Sequence, residues 1–201
     1  FPVETVEKMA KYGFLGIPVP KEYGGQGCDP LTYAMCVEEL SKVCGTTGVI
    51  VSAHTSLCID PIQTFGTEEQ KKKYLPEVLS GKKMGSFCLT EPDAGSDAAG
   101  CKTTAIWNGK EYILNGLKCF ITNGGIASFY CITAMTDKTK GVKGISMFLV
   151  DAGTPGLSTG NEENKMGIRT SNTCDVVLED CRIPAANLVG EEGRGFRSRS
   201  C

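Results

Sequence analysis

The 201 residues are 41% hydrophobic and 22% charged, which supplies a sizeable core and too little charge for a disordered chain. Lys and Arg number 21 against 23 Asp and Glu, a net charge of −2 with no basic stretch, which argues against nucleic acid and anionic membrane surfaces as partners. The longest charge-free apolar stretch, residues 45–59, is too short and too rich in Ser and Thr to span a membrane.

Up to about residue 83 the pattern is helical. Residues 3–12 form one short helix that stops at Gly13, and 16–27 is a Pro/Gly loop. Asp29-Pro30 opens a second helix, with Asp as the N-cap and Pro in the first turn. Its apolar face carries Tyr33, Cys36, Val37, Leu40 and Cys44. Residues 45–59 are apolar or small all round and read as a helix enclosed on every side. His54 lies within it, either as a hydrogen-bonded core residue or as a base; no Ser or Cys motif accompanies it, which favours the core. Thr67 and Gln70 make a capping box, and Glu68–Lys72 and Glu69–Lys73 are spaced as favourable pairs. Tyr74, Leu75, Val78 and Leu79 form the buried stripe of that helix, which Gly81 ends.

From Met84 the period changes to two. Asn-Gly steps at Asn108-Gly109, Asn115-Gly116 and Asn123-Gly124 punctuate runs rich in Ile, Thr, Tyr and Phe, the strongest short hairpin signal. Runs at 103–107, 111–114, 118–122, 129–134, 145–150 and 175–179 therefore predict an antiparallel meander, closed as a barrel or packed as a sandwich. The expected division is a helical unit at 1–83, a β unit at 84–184 and a connecting segment at 185–201.

The chain has 11 Cys, an odd number without C-x-x-C spacing. Cys36, Cys88, Cys119 and Cys131 sit in apolar runs as small hydrophobes, pointing to free thiols in a reducing compartment and to no metal site. No cationic leader opens the sequence, so a secreted protein is not expected, and the absent initiator Met reads as a fragment or processed product.

Two stretches carry candidate chemistry. FCLTEPDAGSD at 87–97 is a strand broken at Pro92 and followed by a polar turn. Gly95 and Ser96 there either present backbone N–H groups and a hydroxyl to an anion or hold the loop's own backbone. Neither a P-loop nor a dinucleotide fingerprint is present, since no Lys follows the glycine and strands do not alternate with helices. KCFITNGG at 118–125 is a strand whose alternation delivers Phe120 and Thr122 to one face, as a ligand platform or as an ordinary cross-strand pair.

Together these stretches resemble the acyl-CoA dehydrogenase family. TEPDAGSD at 90–97 looks like its first signature, and FITNGG at 120–125 like its flavin-facing strand, with Phe120 where many members carry Trp. FGTEEQKKKYLP at 65–76, KMGIRTSNT at 165–173, EDCRIP at 179–184 and NLVGEEGRGF at 187–196 continue the likeness in order, closest to the short-chain, butyryl-CoA type. The resemblance implies a helical N-terminal domain, an antiparallel β-barrel middle domain and a C-terminal four-helix domain that this chain lacks. It implies oxidation of an acyl-CoA to trans-2-enoyl-CoA with FAD as cofactor, electron-transfer flavoprotein as acceptor, and a homo-oligomer when full length. By carry-over, Phe87, Leu89 and Thr90 would line the flavin, with Thr90 on its pyrimidine side. Thr122 would reach N5, while Phe120 and Ile121 pack on the rings. Gly95 and Ser96 would sit at the pyrophosphate, with Ser96 also touching CoA, and residues 52–57 would lie near the acyl tail. The family's catalytic Glu would fall beyond Cys201; an exposed Glu91 or Asp93 would not replace it, and this chain alone would be inactive. An acyl-CoA oxidase relative and a non-catalytic CoA- or partner-binding barrel are the alternatives.

Overall fold

The computed structural model describes residues 1–195; Phe196 of the last motif and the tail 197–201 lie outside the described residues. Five helices build the first half: α1 (Val3–Lys11), α2 (Pro30–Val43), α3 (Gly45–Ser52), α4 (Asp60–Phe65) and α5 (Glu68–Leu79). The forecast caps form. Asp29 Oδ1 accepts from the Thr32 N–H at 2.7 Å, and Thr67 and Gln70 exchange side-chain and backbone hydrogen bonds. The Gln70 amide also donates to the Ala186 and Leu188 carbonyls, so the start of α5 is tied to the far end of the chain. In place of the forecast pairs on α5, Lys71 meets Glu68 at 3.0 Å and Lys73 reaches Asp151 at 2.8 Å. The Tyr74 hydroxyl donates to the same Asp151 carboxylate, a tertiary partner that outcompetes a solvated helix pair.

On α2 the forecast face is only half-buried: Tyr33, Val37 and Leu40 rest on Val6, Leu15, Ile50, Val51 and Met84, while Cys44 is exposed. The segment 45–59 departs further from expectation. It is α3 followed by seven π-helical residues, Ala53–Ile59, running straight into α4. Its flank at Ser56 and Leu57 is exposed, and Leu57 lines a pocket rather than core.

The second half is one eight-stranded sheet: β1 (Gly85–Cys88), β2 (Thr104–Trp107), β3 (Glu111–Thr122), β4 (Phe129–Met135), β5 (Ile145–Asp151), β6 (Leu157–Glu162), β7 (Thr173–Pro184) and β8 (Leu188–Val189). The order β6-β7-β3-β2-β4-β5-β8, with β1 on β4, is not a meander. Most pairs are antiparallel, but β1 runs parallel to β4, and β2 touches β4 in parallel at Thr104–Met135. Among the described residues the hydrogen-bonded path ends on β6 and β8, while the sheet rolls about its own core. Tyr112 of β3 and Phe148 of β5 are not on neighbouring strands, yet their ring centroids stand 4.9 Å apart.

Of the three Asn-Gly steps, Asn108-Gly109 turns β2 into β3, and Asn123-Gly124 ends β3 in a short helical turn. Asn115-Gly116 instead lies inside β3, which merges two forecast strands into one. Asn115 is engaged across the sheet: its Oδ1 accepts from the Asp180 N–H at 2.8 Å, and its Nδ2 donates to Asp180 Oδ1 at 3.1 Å. Gly116, at φ +155°, sits at a bulge in the pairing of β3 with β7 and lies close over Thr103, whose Oγ1 would be 2.4 Å from any added Cβ.

Strand β4 is buried along its whole length and serves two cores by alternation. Tyr130, Ile132 and Ala134 enter the core inside the rolled sheet, with Phe148, Val150, Val176 and Ile183. Phe129 and Cys131 face the helices, packing with Cys58, Ile59, Ile62, Leu75 and Val78. The helical half is thus built directly onto the sheet.

Candidate functional site

Where the π-helical segment, β1 and the end of β3 meet, a pocket of about 300 Å³ opens, lined by Ala53, Leu57, Phe87, Leu89, Thr90, Phe120, Ile121 and Thr122. Six of the forecast residues converge there; Gly95 and Ser96 do not line it and lie on the exposed turn beyond Thr90. A backbone bond pair between Glu91 and Ala94 closes that turn, and Lys102 meets Asp93 across it at 2.6 Å.

Plain alternation cannot put three consecutive residues of one strand into one pocket, and β3 does not alternate here. Its pairing with β7 slips between Lys118 and Ile121, and Phe120 takes a left-handed backbone, φ +57°. That is a costly conformation for a bulky residue, of the kind that persists only when the surroundings impose it. The bulge leaves Phe120 67% exposed on the pocket wall, with Ile121 and Thr122 following on the same side. Ser86 Oγ donates to the Thr122 carbonyl at 2.6 Å and fixes the end of the strand to β1. Among the described residues, neither the Thr90 nor the Thr122 hydroxyl is held by a protein group, so both are free for a ligand.

Behind the pocket lies an arrangement that the sequence did not announce. Glu91 is buried, contrary to the expectation of an exposed carboxylate, and pairs at 2.7 Å with Lys118, whose side chain is fully buried. The same carboxylate accepts from the Lys102 N–H at 2.7 Å, the Thr103 N–H at 3.1 Å and the Cys101 thiol at 3.2 Å. Burial opposes its charged form, but the Lys118 charge and these donors outweigh burial and hold its carboxyl at about 2. Lys118 Nζ also donates to the Leu89 carbonyl at 3.1 Å and to Thr133 Oγ1 at 3.2 Å. The one available signal is Lys118 itself, an ionisable residue interrupting a strand otherwise apolar on its inner face.

His54 does not reach the pocket. Its Nε2 donates to the Val78 carbonyl and its Nδ1 accepts from the Gly85 N–H, each at 3.2 Å, which fixes a neutral tautomer between α5 and β1. Gly85 must be glycine for this approach, since an added Cβ would lie 2.2 Å from Cys58 Sγ. No disulfide joins cysteines among the described residues, no His/Cys/Asp/Glu cluster there could hold a metal ion, and no helix is long and apolar enough to cross a membrane.

Residues 1–82 match the family described as acyl-CoA dehydrogenase, N-terminal domain, and residues 86–181 match acyl-CoA dehydrogenase, middle domain. The chain belongs to the acyl-CoA dehydrogenase family. It is 56% identical over 196 residues to the short-chain-specific acyl-CoA dehydrogenase of Clostridium acetobutylicum, covering 98% of this chain and 52% of the relative. It is 46% identical to the caffeyl-CoA reductase–Etf complex subunit CarC of Acetobacterium woodii, with coverage of 98% and 52%. A solved acyl-CoA dehydrogenase from Bacillus anthracis, complexed with FAD, superposes with a TM-score of 0.90 at 42% identity, covering 98% of this chain and 33% of that one. The chain thus spans about half the length of the curated relatives it matches.

Proposed function

We propose that residues 1–195 seat FAD for the oxidation of a short-chain acyl-CoA to its trans-2-enoyl-CoA, with electrons passed to an electron-transfer flavoprotein. The observation that carries this reading is the pocket with Phe120 exposed on its wall and the Thr90 and Thr122 hydroxyls unclaimed. A flat, heteroatom-rich ring system needs that combination: an aromatic face to stack on and donors spaced along its edge. Bound flavin supplies the acceptor for the hydride. The chain's own residues hold the rings with Phe87, Leu89, Phe120 and Ile121, donate from Thr90 to the pyrimidine edge and donate from Thr122 at N5. We assign Gly95 and Ser96, on the exposed turn, to the phosphates and CoA. Ala53 and Leu57 are assigned to the acyl side of the pocket. No carboxylate lines the pocket, so these residues serve binding and hydride transfer, and proton abstraction is not assigned to them. The short-chain preference rests on the Clostridium relative, and the acceptor on the Etf-complex relative. The free thiols fit a reducing compartment, and a homo-oligomer is the expected assembly.

The test is flavin absorbance of the purified full-length protein with added FAD, first in the wild type and then in Thr122→Val. Valine keeps the β-branched shape and removes only the hydroxyl, so the fold should be retained. Loss of a hydrogen bond to a group whose charge develops during transfer is expected to shift the flavin potential and slow transfer by about 1–3 kcal/mol. A wild type that takes up no FAD would leave the non-catalytic module as the better reading. An unchanged potential and rate in the variant would remove Thr122 from the site.

A further inference from the structure

We propose that Lys118 is a positioning residue for the flavin pocket: by pinning the Leu89 carbonyl from behind, it aims the Thr90 backbone N–H away from the buried cluster, as a fixed donor to the flavin's pyrimidine edge. The inference rests on the flavin reading above and adds to it a residue that touches no ligand.

The geometry is that of one peptide plane. No cis bond occurs among the described residues, so the Leu89 C=O and the Thr90 N–H point in opposite directions across their shared peptide. The carbonyl is held by Lys118 Nζ at 3.1 Å, on the buried side. The next carbonyl, of Thr90, accepts from the Cys119 N–H at 2.9 Å, so two successive peptides are fastened to one point of β3. The Thr90 N–H meets no protein acceptor among the described residues, while Leu89 and Thr90 both line the pocket and Lys118 does not. A buried ammonium is an expensive way to hold one carbonyl, and the surroundings are built to keep it in place. Glu91 supplies the counter-charge and Thr133 Oγ1 takes a further N–H bond. Lys118 has three N–H donors; Leu89, Glu91 and Thr133 accept from all of them, which leaves it no freedom to turn away. A donor preset in this manner loses little entropy when the ligand arrives.

The experiment uses the full-length, FAD-loaded protein. Removing Lys118 alone would strand the Glu91 charge, so both charges are removed together, in two forms: E91Q/K118M and the wholly apolar E91L/K118L. The control is E91Q, which keeps the Lys118 donor and an amide oxygen to receive it but removes the counter-charge, so it is compared only where its thermal unfolding matches that of the wild type. Thermal unfolding reports the fold, equilibrium titration the FAD affinity, and the absorbance spectrum and midpoint potential the hydrogen bonding of the flavin. The expected result is that whichever double variant folds like the wild type binds FAD about tenfold more weakly or worse, with a displaced spectrum and potential. E91Q should keep both. A folded double variant with wild-type affinity, spectrum and potential overturns the positioning role and leaves Lys118 purely structural, without touching the flavin reading. Equal losses in E91Q and the double variant also overturn it, since charge rather than the donor would then matter. A wild-type protein that binds no FAD overturns the flavin reading and this inference together.

Discussion

Lys118→Met is expected to lower the free energy of unfolding by about 3–5 kcal/mol, the cost of breaking a buried ion pair by removing one partner. Methionine fills much of the lysine volume, so packing is not what is lost. Glu91 would remain 5% exposed, facing the vacated site with only the Lys102 and Thr103 N–H groups and the Cys101 thiol beside it. Its carboxyl, now held at about 2, would rise toward the pH of the measurement, and the variant would regain stability in acid relative to the wild type. Pairing the change with Glu91→Gln removes the stranded charge and should recover most of the loss. Urea unfolding of the wild type, the single variant and the double variant checks this. A single variant within about 1 kcal/mol of the wild type would mean that the pair contributes no more than a surface ion pair.

Acidification should weaken the junction between the helical half and the sheet through His54. Burial, which outweighs the bonds to Val78 and Gly85, lowers its folded-state value from 6.5 to about 4. Between those values the unfolded chain takes up a proton that the folded chain refuses, so stability rises with pH across that window. The contribution is complete above about pH 6.5, and about 2 kcal/mol of it is lost by pH 5. His54→Gln should be less stable than the wild type at pH 7.5, yet lose much less between pH 7.5 and 5. Parallel pH profiles for the two proteins would show that His54 titrates alike in the folded and the unfolded chain.

The helical half was legible because its signals are local. Asp29-Pro30 and Thr67–Gln70 carry their caps within four residues, and a structure has little means of overriding them. The sheet was legible as strands but not as pairings. Asn108-Gly109 and Asn115-Gly116 look alike in sequence; only Asp180 and Thr103, distant in the chain, turn the second into a bulge within one long strand. β6 escaped because its residues 157–162 show no apolar alternation, as suits an exposed edge. At the pocket, the residue types at 87–90 and 120–122 were readable, whereas their convergence depends on the left-handed Phe120. Glu91 and Lys118 stayed hidden for a different reason. A charged residue signals burial only through its partner, and each was read without the other.

The parallel seating of β1 on β4 also dictates an order of events during folding. Gly85 pairs with Phe129, so the first strand finds its neighbour only after β2, β3 and the turns between them have been made. The apolar faces of α4 and α5 wait still longer, because Met147, Leu149 and Val189 complete the core they share. A nascent chain therefore holds α4 and α5 with their inner faces uncovered until almost all the described residues have been synthesised. Such long loop closures slow the search for the native state and prolong exposure to aggregation. The helix with the most legible cap, α5, is thus among the last elements to be secured.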